Sequence, residues 1–181
     1  MNVVSDQTLC KKYPRIFKHR YAPMTETAMC WGFDCGDGWY NIIDAMCHNI
    51  QYHINWTRSV RLQALRFNRA LNRACDGDYS SYNRLSKWDQ RWIDEEMSMP
   101  EPELRTVPDA CLQVVATQVK EKFGTLNFYY YGGDDVVEGI VRMAESMSAV
   151  TCEVCGNRGE KNGGGWIRTL CSTHAEKKNE L

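Results

Sequence analysis

TCEVCGNRGEKNGGGWIRTLCSTHAEKK, Thr151 to Lys178, places a Cys-x-x-Cys pair and a Cys-x-x-His pair on either side of a glycine-rich gap. A two-residue interval lets the thiolates of Cys152 and Cys155 reach one ion from a single tight turn. Gly156 follows the pair and tolerates the positive φ that such a turn needs. Cys171 and His174 come after "GWIRTL", a predicted strand, and before "AEKKNEL", a predicted helix. Ligands at i and i+3 of a first helical turn share a face. Structural zinc takes four nitrogen or sulfur ligands, so Cys152, Cys155, Cys171 and His174 are expected to hold one structural zinc ion. With every slot filled by protein there is no position for a reactive water, which argues against hydrolysis at this site. Redox Cys-x-x-Cys pairs open a helix in a βαβ context, and that context is missing here. A metal would instead replace a hydrophobic core in a segment too short to build one.

Knuckle, loop, strand and ligand-bearing helix together resemble the treble-clef class of zinc modules. The resemblance covers residues 151–181 only, and the class serves too many purposes to imply one.

Upstream, Leu112 to Tyr131, "LQVVATQVKEKFGTLNFYYY", is rich in β-branched and aromatic residues. It predicts an antiparallel hairpin turning near Lys122–Gly124. "GGDD" at Gly132–Asp135 supplies a turn and an N-cap for a helix marked by Val137, Ile140, Val141, Ala144 and Met147. "MPEPELRTVP" before the hairpin carries three of the five prolines and reads as a linker.

The N-terminal half reads as helical after an irregular stretch over residues 1–36. Trp39, Ile42, Ile43, Met46, Cys47, Ile50 and Ile54 recur at helical spacing, with Asp37 as the expected N-cap and an end near Asn55. Val60, Ala64, Phe67, Leu71 and Ala74 predict a second helix, ended by "CDGD" with Gly77 in the turn. A third is expected from Ser86, anchored by Trp88 and Trp92.

The 181 residues suffice for one compact domain, alone or with a small module, and 43% hydrophobic content excludes a wholly disordered chain. A net charge of −1 means that any nucleic-acid surface must be a local patch. No window has the apolar length of a signal peptide or a membrane span, so an intracellular, cytoplasmic protein without membrane association is expected. The nine cysteines are an odd count, and in a reducing compartment metal-ligand spacing favours zinc over disulfides.

The run "QVKEKFGTLNFYYYGGDD" with "VRMAESMSAVTCEVCG" and "GGGWIRTLC" resembles a group of tailed-bacteriophage and prophage proteins without an assigned activity. "CWGFDCGDGWYNIID" resembles the N-terminal part of the same group. The resemblance implies a phage protein working in the bacterial cytoplasm and transfers no catalytic residue. Small non-structural phage proteins often alter host machinery or block host defence, which favours binding over metabolism.

From Trp56 to Ala74 there is no acidic residue, but there are five arginines: Arg58, Arg61, Arg66, Arg69 and Arg73. On a helix they fall within a sector about 140° wide. Such a stripe suits phosphate groups of a nucleic acid or nucleotide, or else a solvated face paired with the acidic "DQRWIDEEMSMPEPE". Asp44 and His48, one turn apart, suit general acid–base work or a surface hydrogen bond. His53 reads as an edge-of-core histidine. Cys30, Cys35 and Cys47 are candidates for part of a second metal site, although Cys47 also fits an apolar face. "CGDGW" fits an anion-binding nest or a plain turn with an N-cap. Strand alternation puts Phe128 and Tyr130 on one face and Tyr129 and Tyr131 on the other, where bases can stack.

The reading is therefore an α+β protein in three consecutive parts: a helical region over 1–99, a linker, hairpin and helix over 100–150, and a zinc module over 151–181. The leading function is a non-enzymatic phage accessory protein that binds a host nucleic acid or a nucleic-acid-associated protein. The alternatives are an anti-defence protein sequestering a small nucleotide signal, and a nuclease or other hydrolase using Asp44 and His48.

Overall fold

The computed structural model describes residues 1–85, 103–163 and 166–179. The helix expected from Ser86 lies outside the described residues. The architecture is α+β, as expected. The chain forms two compact units that do not follow the three consecutive parts read from sequence. One joins Met1–Ile54 with Cys111–Leu181, and the other is Asn55–Ala110.

In the first unit, helix α1 (Val3–Lys12) occupies a stretch read as irregular. Its signals are terminal: the Asn2 side chain accepts from Ser5 N, Asp6 sits in the first turn, and Lys11 and Lys12 sit in the last. Only Asp6, Leu9 and Cys10 of this helix are buried, which is too few for a visible period. Burying Asp6 is tolerable because Arg20 Nε donates to both of its oxygens, at 3.0 and 3.1 Å. Asp37 does not cap its own helix. Its Oδ1 accepts from Asn2 N at 2.9 Å, so it secures the entry to α1.

A three-stranded sheet lies in the order β1-β2-β3: β1 (Phe33–Asp34), β2 (Leu112–Lys122) and β3 (Thr125–Gly133). β1 runs parallel to β2, and β2 and β3 form the expected hairpin. Its turn residues Phe123 and Gly124 have φ 53° and 77°, the left-handed pair that a tight hairpin needs. Helix α4 (Asp135–Ser148) follows, with Asp134 Oδ1 accepting from Val137 N at 3.1 Å as its N-cap. Ser148 closes its far end onto the sheet by accepting from Leu126 N at 2.8 Å.

The two helices expected over Trp39–Asn55 and Val60–Ala74 are one continuous helix, α2 (Tyr40–Cys75). The apolar stripe lapses around Asn55–Ser59, but no glycine or proline is present there, so the backbone hydrogen bonds continue. All seven stripe residues from Trp39 to Ile54 are buried. They form one core with Leu9, Ile16, Met29, Val114, Val119, Leu126, Val137 and Val141.

The second unit contains the rest of α2 and a short helix α3 (Ser80–Leu85). Phe67, Ala70, Leu71 and Ala74 pack with Tyr82 into a separate small core. Gly77, at φ 92°, makes the turn between them. Asn68 bonds the backbone of Arg105 in both directions, at 2.8 Å each, and the Arg105 guanidinium lies 3.7 Å from the Phe67 ring centroid. Together these fasten the 103–110 segment to α2.

Candidate metal centre

Cys152 and Cys155 flank a turn closed by Gly156 N donating to Cys152 O at 2.9 Å, with Gly156 at φ 78°. The chain then forms a two-stranded hairpin, β4 (Glu160–Asn162) and β5 (Arg168–Leu170), and helix α5 (Ser172–Asn179). Cys171 is the residue before α5, and its carbonyl accepts from His174 N and Ala175 N. The strand and helix expected around the second ligand pair are both present.

The four ligand atoms lie within 4.8 Å of one another. Cys155 Sγ and Cys171 Sγ are 3.8 Å apart, and Cys152 Sγ and His174 Nδ1 are 3.6 Å apart. A tetrahedral ion with metal–sulfur bonds of about 2.3 Å and metal–nitrogen bonds of about 2.0–2.1 Å separates two sulfurs by about 3.8 Å, and a sulfur from a nitrogen by about 3.6 Å. Cys171 Sγ and His174 Nδ1, at 3.1 Å, are somewhat closer than this. The residues present therefore fit a single metal ion.

Burial pushes the Cys152 thiol up, but backbone N–H groups of Cys171, Cys155 and Val154 outweigh it and bring the thiol down to about 6. Those amides favour the thiolate, the form that ligates metal.

The turn is built into the first unit. Trp39 Nε1 donates to Thr151 O at 2.8 Å, and Gly38 N donates to Glu153 O at 2.8 Å. Glu153, between the first two cysteines, is buried and accepts from Gly36 N at 3.0 Å and Arg168 Nε at 2.9 Å. A Cβ on Gly38 would fall 2.2 Å from Cys152 O, and one on Gly36 would fall 2.2 Å from Glu153 O. The glycines of "CGDGW" thus let two backbones touch. The spacing of Gly36 and Gly38 was the available signal, but the sequence did not name the Cys-x-x-Cys turn as the partner. On the other side, Thr169 Oγ1 donates to Gly124 O at 2.5 Å, and Trp166 Nε1 donates to Glu121 Oε2 at 3.1 Å.

The arginines divide into two groups. Arg61 Nη1 donates to Pro108 O at 2.8 Å and lies 3.4 Å from Asp109 Oδ1, which gives it a structural role in the second unit. Arg58 is half-buried and does not line the cavity described next. Arg66, Arg69 and Arg73 are exposed and surround a cavity of about 310 Å³. Arg84 and Ser81 from α3 join them, and sequence periodicity along α2 alone could not have found either. Arg73 Nη1 donates to Ser81 Oγ at 3.0 Å and Arg84 Nε to Ser80 O at 3.2 Å, so both side chains are held in place.

Asp44 accepts from Lys12 Nζ at 2.7 and 2.8 Å and from Tyr13 OH at 2.9 Å. Burial raises its carboxyl, but these bonds outweigh burial and keep it below the usual carboxylate range. Lys12 and Tyr13 thus anchor the Asp44 carboxylate in its charged form. Cys30, Cys35 and Cys47 form no common ligand group among the described residues. Burial pushes Cys35 up to about 12 and Cys47 well above an ordinary thiol, which keeps both protonated. Phe128 is buried while Tyr129 and Tyr131 are exposed, following the strand alternation.

No family model matches the chain, and no curated protein or solved structure matches it. Among the described residues, no helix is long and apolar enough to cross a membrane.

Proposed function

We propose that this is a zinc-stabilised binding protein that takes the phosphate backbone of a nucleic acid at Arg66, Arg69, Arg73 and Arg84. The observation that carries the reading is the convergence of four exposed guanidinium groups and the Ser81 hydroxyl on one cavity. Guanidinium forks match phosphate oxygens two at a time, and crowded like charges are relieved when a polyanion arrives.

Zinc is the ion best suited to three sulfurs and an imidazole at these separations. Its role is to fasten residues 151–175, with no open position for chemistry. The reading sets this work in an infected bacterium with a host nucleic acid as partner, and what supports it is the resemblance of "QVKEKFGTLNFYYYGGDD" and "CWGFDCGDGWYNIID" to phage proteins.

A second reading is favoured by the concavity itself. A volume of about 310 Å³ falls at the lower end of small-ligand sites, about 300–1,000 Å³. That size suits sequestration of a small nucleotide. Fluorescence anisotropy with labelled single-stranded and duplex oligonucleotides, over a range of salt, tests the first reading. Binding should weaken steeply with salt and be lost in the Arg69→Glu/Arg73→Glu variant. If neither polymer binds and a mononucleotide raises the melting temperature, the second reading replaces the first. If neither kind of ligand registers, both readings fail.

A further inference from the structure

His53, Cys111 and Asp134 bring a nitrogen, a sulfur and an oxygen donor within 4.8 Å of one another, far from the Cys/His turn in sequence. Each comes from a different element of the first unit. His53 projects from α2, Cys111 immediately precedes β2, and Asp134 is the N-cap of α4. From these residues we propose a second transition-metal site, open at one coordination position, with His53, Cys111 and Asp134 as its protein ligands.

The donor set narrows the ion. Calcium and magnesium prefer all-oxygen shells, which a thiol and an imidazole do not offer. Iron–sulfur clusters need several thiolates, and there is one here. A mixed N, S, O set suits zinc or cobalt(II), and the three protein ligands found among the described residues leave the fourth tetrahedral position to water or another small ligand. This is the opposite of the closed Cys152/Cys155/Cys171/His174 set.

The shell around the donors is already arranged. Asp134 Oδ1 accepts from Val137 N at 3.1 Å, which fixes the carboxylate plane and leaves Oδ2 turned towards His53 Nε2 at 2.8 Å. A carboxylate oriented by a backbone N–H is the kind of second contact that metal sites use. An ion held between Oδ2 and Nε2 would widen their separation to about 3.3 Å. Asp134 has the freedom for that change, since its side chain is 38% exposed. Cys111 is buried, so its sulfur forms the inner wall, and the exposed carboxylate marks the side from which an ion enters.

Position in the chain adds a reason for such a site. His53 and Cys111 flank residues 55–110, the segment that leaves the first unit and forms the second. An ion bound by both would tie together the two points where the chain departs and returns, shortening a long loop closure with one bond set.

The test is metal stoichiometry on the full chain. Protein prepared under reducing, anaerobic conditions is loaded with excess zinc, desalted, and measured by elemental analysis. Two ions per chain are expected for the wild type, and one for Cys111→Ser and for His53→Gln. Asp134→Asn keeps the helix cap and removes the charge, and should weaken the second equivalent at least tenfold in a zinc titration. Cobalt(II) provides a separate readout. The wild-type sulfur-to-cobalt absorption should fall by the share of one thiolate in Cys111→Ser and keep the contribution of the three-thiolate site. Fewer than two zinc ions in the wild type, or two retained in Cys111→Ser, would overturn the proposal. So would an unweakened second equivalent in Asp134→Asn.

Discussion

The Cys/His turn of the first unit and the arginine cavity of the second both crowd groups of one kind, sulfur ligands in one case and guanidiniums in the other, and they tolerate the crowding differently. Around Cys152 the backbone does the work: amides favour the thiolate, two glycines admit a close approach, and Glu153 sits buried between Gly36 and Arg168. Around Arg69 the side chains are exposed and the supporting core is Phe67, Ala70, Leu71, Ala74 and Tyr82. A site formed by close backbone packing is rigid and sensitive to one added methyl. A site formed by solvated side chains on a helix changes its charge with little cost to the fold. The first pattern fits a structural ion and the second a ligand that comes and goes.

The largest effect that can break this contrast is metal removal. Structural zinc supplies on the order of 10 kcal/mol of binding free energy at neutral pH in small modules. Chelation should therefore abolish hydrogen-exchange protection over residues 151–163 and 166–175 and lower the melting temperature sharply, while α2 beyond Asn55 keeps its protection. Uniform loss of protection along the chain would show that the two regions do not differ in this way.

Gly38→Ala comes next. Its Cβ would press on Cys152 O and on Gly156 N, at 2.2 and 2.5 Å, both backbone atoms that cannot step aside. A loss of about 3 kcal/mol is expected in denaturant unfolding, together with weaker metal retention. Glu153→Ala leaves Arg168 and Gly36 N without their acceptor. Arg168 is about a third exposed, so solvent reduces the loss to about 2 kcal/mol.

Arg69→Glu should sharpen the other half of the comparison. Stability should change by no more than about 0.5 kcal/mol, while the salt dependence of oligonucleotide binding flattens by about one phosphate contact. Asp44 gives the smallest effect. Its folded pKa is depressed, so its stabilising contribution is present above the unfolded value and is lost as pH falls through the folded one. Asp44→Asn should cost about 1 kcal/mol or less at pH 7. The difference from wild type should vanish in acid, measured by urea unfolding across pH.

Short-range signals in the sequence were reliable. The ligand spacing named Cys152, Cys155, Cys171 and His174, and the structure gathers those four. The hairpin turn at Phe123–Gly124, the Asp134 cap and the buried stripe from Trp39 to Ile54 were also legible, because each depends on residues within a few positions of one another. Helix α1 escaped because its stabilisation lies in its caps and in Arg20, and it lacks an apolar period. The break expected in α2 followed a lapse in burial that the backbone ignores.

By itself the sequence determined the ligand set, the hairpin and its following helix, and the charge of the arginine stripe, all consequences of local geometry and residue chemistry. Tertiary structure alone decided which chain segments meet. It seated the Cys-x-x-Cys turn on Gly36 and Gly38, drew Arg84 to Arg66, Arg69 and Arg73 while tying Arg61 to Pro108, and brought His53, Cys111 and Asp134 together. Contacts between residues distant along the chain leave no periodic trace in it, because the chain between them can take many paths, and packing of the core selects one.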